Sequence, residues 1–154
     1  MTPELSREYI AGFFDGEGCV VIGKTGPREH ELAVTLTNNN RLILDTVAAI
    51  YPGAVNKNRD SFIYRCGHAA AERFLRDIKP FVIVKATQVS LALEFRRTFD
   101  IYRKPLSDET LEQREWFYEE LRRINGLRGR DDPEDNLKKM GQMSLGAMFD
   151  NQDG

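Results

Sequence analysis

Cysteine and histidine are scarce in this chain of 154 residues, with two of each. Cys19 and Cys66 fall in strand-like stretches and cannot build a disulfide framework, so reduced thiols are expected. His30 and His68 lie far apart and no Cys/His cluster has zinc spacing, so both read as surface or capping residues. Long apolar runs are missing too. Nothing approaches the roughly 18 residues that cross a bilayer, and no charged-then-apolar leader is present, which predicts a soluble, unsecreted protein with no membrane partner. Nor is there an excess of positive charge. The net charge is −2, which by itself argues against nucleic acid. The charge is unevenly spread, however. From Ser107 onward there are 12 acids and 7 bases, a balance of −5, and the remainder has 15 bases against 12 acids, a balance of +3. The body is mildly basic and the C-terminal part acidic. The length suits a single domain with one real core.

What is there is concentrated in Tyr9-Ile10-Ala11-Gly12-Phe13-Phe14-Asp15-Gly16-Glu17-Gly18. Ser6 can cap a helix start, and Glu8 in the first turn suits the helix dipole. Ile10, Phe13 and Phe14, at i, i+3 and i+4, make one apolar face. Gly12 and Gly16 lie four apart on another. Each costs a helix interior roughly 0.5–1 kcal/mol against alanine, and with Ala11 they would let a second helix backbone approach closely. Asp15 and Glu17 stand where the helix ends, between Gly16 and Gly18. A helix C-terminus disfavours acids, so something positive should compensate. Two readings follow from the residues: Asp15 caps a turn and Glu17 is solvated, or the acids serve a metal at a helix–helix seam.

The rest of the chain alternates hairpins and helices. Cys19 to Lys24 is strand-like, Thr25-Gly26-Pro27-Arg28 has turn chemistry, and Glu31 to Thr37 alternates with Leu32, Val34 and Leu36 on one side. Asn38-Asn39-Asn40 reads as a helix cap. Arg41 to Tyr51 is amphipathic, with Leu42, Leu44, Val47, Ala48 and Tyr51 as core candidates, and Pro52-Gly53 ends it. Ala54 to Asn58 and Ser61 to Cys66 form a second hairpin around Arg59-Asp60, with Phe62, Tyr64 and Cys66 on one face. A helix over about 69–78 turns Phe74, Leu75 and Ile78 inward. Phe81 to Val84 is an apolar run closed by Lys85. A long helix runs from near Thr87 to about Arg103, and another from Ser107 to Asn125-Gly126. Residues 1–127 read as one domain and 128–154 as a flexible tail. The order is α-β-β-α-β-β-α plus two further helices.

Ile10 to Gly18 closely resembles the nine-residue motif of the LAGLIDADG homing endonucleases, and the layout from Glu8 to about Arg103 resembles the domain of that family. The resemblance implies an α+β fold: a curved antiparallel four-stranded sheet with helices on one face, plus C-terminal helices. It implies that the motif helices of two domains pack through their small residues, here Ala11, Gly12, Asp15 and Gly16. With a single motif and no internal repeat, the chain should form a homodimer. The last acid of the motif, Glu17 where Asp is usual, would bind the metal, with the Gly16 carbonyl as a further ligand. Mg²⁺ is the expected cofactor and Mn²⁺ its substitute. Two Glu17 side chains near a two-fold axis would repel unless a cation intervened. Lys85 matches the family's catalytic lysine, suited to phosphate charge or a polarised water. Asn38 falls where the family has Gln or Asn near the attacking water, although a helix cap explains it equally and Asn40 competes for the role.

The same resemblance implies double-stranded DNA as the partner, cut across the minor groove to leave short 3′ overhangs. On the outward sheet face, Val21, Lys24, Arg28, Glu29, Glu31, Thr35, Asn56, Asn58, Ser61 and Arg65 are candidates to read bases, and Arg41, Lys57 and Arg59 to hold phosphates, with Asn40 a further DNA-binding candidate. The target should be long and partly palindromic. An intron RNA-splicing maturase, acting on a host intron RNA, is one alternative. A DNA-binding regulator without catalysis is another, disfavoured because Glu17 and Lys85 are kept. A binding protein unrelated to nucleic acid has only the net acidity for it. Arginine outnumbers lysine, which suits a bacterial or phage cytoplasm better than an AT-rich organelle gene.

Overall fold

Ser6 Oγ accepts the amide of Tyr9 at 3.1 Å and starts α1, Arg7–Glu17. The computed structural model describes residues 4–99 and 105–126. After α1 come β1 (Gly18–Gly26), β2 (Glu29–Asn38), α2 (Arg41–Ile50), β3 (Ala54–Asn58), β4 (Ser61–Gly67), α3 (His68–Ile78), α4 (Ala86–Arg97) and α5 (Asp108–Gly126). The expected order holds. The helix expected to reach Arg103 ends at Arg97, and residues 100–104 and the tail over 128–154 lie outside the described residues.

The four strands form one antiparallel sheet in the order β1-β2-β4-β3. Its centre is the pair β2–β4, with Val34 opposite Cys66 and Leu36 opposite Tyr64. Side chains alternate across the sheet. Val20, Ile22, Leu32, Val34, Leu36, Tyr64 and Cys66 are buried on one face, together with Ile10, Phe14, Phe74, Leu75 and Phe95 from the helices. Phe74 meets Phe14 and Tyr51 edge-on, with ring centroids 5.8 and 5.0 Å apart. The Tyr64 hydroxyl donates to the Tyr51 carbonyl at 2.7 Å, so the sheet's largest buried polar side chain carries no orphaned group.

Two local expectations change. Leu42 is 55% exposed, while Leu44 and Val47 turn inward as expected, with Thr46 beside them. The run Phe81–Val84 is an irregular link. Only Val82 is buried there, while Phe81, Ile83 and Val84 reach solvent. His30 is not a surface residue. It is buried where β2 begins, against Phe95 of α4 and Tyr118 of α5.

α5 lies on β1, the edge of the sheet. Lys24 Nζ meets Glu115 Oε1 at 2.6 Å, and Arg28 donates to Asp108 at 3.1 Å and to the Leu106 carbonyl at 3.3 Å. The Asn125 side-chain amide reaches the Val20 carbonyl at 3.0 Å. The acidic helix thus neutralises the basic tip of the first hairpin. Among the described residues no helix is long and apolar enough to cross a membrane.

Candidate active site

The end of α1 runs directly into the start of β1, so Glu17 and Gly18 sit at the junction of a helix and the sheet. The sequence dictates this tight passage. A Cβ on Gly18 would collide with the ring and carbonyl of Phe14, so only glycine lets the strand leave the helix here. Gly18 is buried, whereas Gly16 and Glu17 are exposed.

Asp15 does not hang free. Its carboxylate accepts the backbone amides of Ile83 at 2.8 Å, Val84 at 3.2 Å and Lys85 at 3.0 Å. These are the orphan donors ahead of α4, whose own N-cap position, Lys85, offers no side-chain cap. A carboxylate at a helix N-terminus is favourable both to the free amides and to the dipole. The capping reading of Asp15 is therefore what the geometry shows, with the cap made across the fold and not within its own turn.

Lys85 answers from the other side. It is 4% exposed, and its Nζ donates to the Phe14 carbonyl at 3.0 Å and to the Gly18 carbonyl. Those oxygens belong to the negative end of the α1 dipole. Its cation also lies 5.4 Å from the centroid of the Phe14 ring. The missing basic partner of the α1 C-terminus is thus Lys85, and the two helix ends cap each other with Glu17 between the two carbonyls that Lys85 holds. Lys85 is neither a surface lysine nor part of a strand.

Asn38 ends β2 at the same edge of the sheet. Gly18 faces Leu36 in the register, so Asn38 stands two residues beyond that rung. Both asparagines, Asn38 and Asn40, make local caps. Asn40 caps α2 by accepting the Leu42 amide at 3.0 Å, and Asn38 Oδ1 accepts the Asn40 amide at 2.8 Å. Lys85 thus holds the carbonyls of Phe14 and Gly18, which flank Glu17 along the chain, and Asn38 stands on the strand next to β1.

The motif helix leaves one face uncovered. A Cβ at Gly12 or Gly16 would meet nothing within 4 Å, and Tyr9 beside them is 53% exposed. Asp15 lies only partly exposed, its carboxylate engaged as described, and Ala11 is fully buried inside the protomer.

The outward face of the sheet divides the other candidates. Val21, Glu29, Glu31, Thr35, Asn56, Asn58, Ser61 and Arg65 share the side away from the helices. Lys24 does not: it pairs with His30 in the register and points to α5. Lys57 pairs with Phe62 and so projects towards the helix-bearing side, although it is exposed. Arg28 is engaged by the start of α5. Arg41 lies 3.4 Å from Asp45 and over the Phe62 ring. Arg59 occupies the β3–β4 turn with φ 54°, in the left-handed region, and is exposed.

Two buried polar side chains that sequence reasoning assigned no role stand out. Burial pushes the His30 imidazole pKa down, against the opposing pull of Glu115. Glu115 Oε1 lies 3.2 Å from Nε2 but off the line of a hydrogen bond, which leaves both ring nitrogens without a partner among the described residues. Glu115 is itself held below the usual carboxylate range, first by its hydrogen bond from Lys24. Gln88 in the first turn of α4 is 1% exposed, and neither side-chain polar atom has a partner among the described residues. The one signal for His30 was its place in a strand opening with alternating apolar residues; for Gln88 there was none.

Among the described residues no three His, Cys, Asp or Glu side chains cluster to hold a metal. One copy offers the Glu17 carboxylate and the Gly16 carbonyl, both hard oxygen donors of the kind that suits Mg²⁺. This donor set fits the ion as part of a shell that a second copy or a nucleic acid would complete.

Comparison with known proteins places this geometry. Residues 4–79 match the family model of the LAGLIDADG-like domain. Among solved structures, the archaeal intron-encoded homing endonuclease I-Vdi141I complexed with DNA superimposes with a TM-score of 0.67 at 19% identity, over 90% of this chain and 96% of that one. The homing endonuclease I-CvuI in complex with its target in the presence of 2 mM Ca gives 0.65 at 19% identity, over 88% and 94%. A second I-CvuI complex contains 2 mM Mg with its DNA not cleaved. The homing endonuclease I-TnaI gives 0.62 at 17% identity, over 91% and 99%. No curated protein sequence matches the chain.

Proposed function

We propose that this chain, whose residues 4–79 match the LAGLIDADG-like domain and which has the fold of the LAGLIDADG homing endonucleases, is a homodimeric, site-specific DNA endonuclease. It makes metal-dependent double-strand breaks with short 3′ overhangs at a long, partly palindromic target. The observation that carries this reading is the pairing of two features on α1: an exposed carboxylate at the helix end, and beside it an uncovered glycine face.

The open face at Gly12 and Gly16 takes the same face of a second copy. Closure of that seam brings two Glu17 side chains together at the two-fold axis, where each can serve one strand. Glu17 and the Gly16 carbonyl would hold Mg²⁺, or Mn²⁺ in its place. Once bound, the ion would neutralise charge at the scissile phosphate and lower the pKa of a water so that it can attack. Lys85 fixes the carbonyls on either side of Glu17 and adds positive charge next to the phosphate. Asp15 acts at the seam and holds the link that carries Lys85. Asn38 orients water from the neighbouring strand. Val21, Glu31, Thr35, Asn56, Asn58, Ser61 and Arg65 face the base edges of the major groove, with Glu29 and Asn40 at its margins. Arg41, Lys57 and Arg59 reach phosphates, as do Lys24 and Arg28 if DNA displaces the α5 acids that hold them.

Glu17→Gln tests the reading. The variant should bind the same duplex with nearly unchanged affinity while Mg²⁺-dependent cutting falls below detection. Retained cutting removes Glu17 from the metal, and a monomeric mass in solution removes the shared site.

A further inference from the structure

On the endonuclease reading, we infer that Glu31 and Arg65 act as one unit that reads a single oriented G·C base pair in each half of the target. Among the described strand residues that face away from the helices, Arg65 is the sole cation, and Glu29 and Glu31 are the sole anions. A surface that met DNA by charge alone would carry many cations. This one carries one, and that one is already paired: Arg65 Nη2 donates to Glu31 Oε1 at 2.7 Å.

The register explains how the pair forms. Arg65 stands opposite Thr35, and the next outward rung is Ala33 opposite Gly67. No large side chain stands on that rung, so the guanidinium lies back along the sheet towards Glu31. The imidazole of His68 also stands beside the pair, with Nε2 3.9 Å from Glu31 Oε2. The Arg65 side chain remains 48% exposed and that of Glu31 27%. The ion pair is therefore held in place and still open to a partner above the sheet.

Its chemistry selects that partner. Arginine has five donors in a planar fork, and the contact with Glu31 leaves the others available. A carboxylate oxygen beside them is an acceptor. The major-groove edge of a G·C pair presents N7 and O6 of guanine as acceptors and then the N4 amino group of cytosine as a donor. Arg65 over guanine and Glu31 over cytosine match that row. An A·T pair sets the adenine N6 donor against the guanidinium and the thymine O4 acceptor against the carboxylate, and C·G reverses the order. Because the pair has no net charge, it adds discrimination without adding phosphate affinity.

Selection of binding sites from a randomised duplex pool, with the full chain and Ca²⁺ as the cation, tests this. The wild-type protein should enrich one oriented G·C pair per half-site, at positions related by the dyad. Arg65→Ala and Arg65→Lys should each lower that preference roughly 10- to 100-fold, leaving other positions and the salt dependence of binding unchanged. Glu31→Gln should relax the same position by a smaller factor. If Arg65→Ala leaves every preference intact, or weakens all sequences evenly with a shallower salt slope, the pair does not read a base. If the wild-type chain enriches no sequence at all, the endonuclease reading falls as well.

Discussion

The end of α1 and the turn of the β3–β4 hairpin both carry charge, held in opposite ways. At α1, Asp15 is fixed by three amides and Lys85 by two carbonyls, so each charge is bound to backbone. At the hairpin turn, Asn58, Arg59, Asp60 and Ser61 line an open cleft with Asn39. The turn's one side-chain bond of note is from Ser61 Oγ to the Asn58 carbonyl at 3.1 Å. Backbone partners fix a group to within the tolerance that chemistry needs. A solvated arginine keeps its rotamers and can follow a phosphate. On the endonuclease reading, the first is suited to a reaction centre and the second to a hold on phosphates. Substitution in the first should cost rate, and in the second, affinity.

The strongest test of that division is Asp15→Ala. Loss of a charged cap on three amides should lower stability by about 2 kcal/mol, read as a drop in Tm. With the Lys85 link released, cutting should fall roughly 100-fold while DNA affinity changes little. Lys85→Ala should show the same split through the opposite cap. An equal loss of cutting and binding in both variants would erase the distinction. A weaker effect is expected from Lys57→Ala with Arg59→Ala. Affinity should fall evenly for all sequences, the salt slope should drop by about 1 for each cation removed, and Tm should not move. A change in sequence preference instead would move these residues from phosphates to bases.

The smallest effect sharpens the comparison at a third place, the strapped tip of the first hairpin. The folded pKa of His30 lies below its unfolded value because burial disfavours the charged form. The unfolded chain therefore binds more protons as pH falls past about 6.5. Stability present above that pH is lost on acidification, with a slope of at most about 1.4 kcal/mol per pH unit for one group. Tm measured from about pH 7.5 down to about pH 5.5 should fall, and His30→Leu should flatten that fall. An unchanged slope would show that other groups set it.

Much of this architecture was legible from periodicity. The alternation of Leu32, Val34 and Leu36 and the inward set Phe74, Leu75 and Ile78 placed β2 and α3 correctly, because each pattern is local. The face of β1 was harder to read. Val20-Val21-Ile22 is apolar throughout, so nothing in it reveals that Lys24 shares the helix side with Val20 and Ile22. The motif announced Glu17, and an acid at a helix end announced that a positive partner must exist. It could not announce which one, because the partner of Asp15 lies 68 to 70 residues along the chain. Contacts of that span leave no trace in a window of ten residues. His30 was misplaced for the same reason: the elements that bury it, α4 and α5, come much later in the sequence.

That long reach also sets a schedule. A growing chain can form α1, both hairpins and α3 from residues already made, yet the clasp on α1 waits for Ile83 to Lys85. Closing so long a loop is slow and comes late in folding. The matched segment ends at residue 79, so a nascent or truncated chain of that length has every residue of the motif and none of the link that caps its helix. On the endonuclease reading, such a chain carries the sequence mark of the family without the clasped helix end that cutting requires.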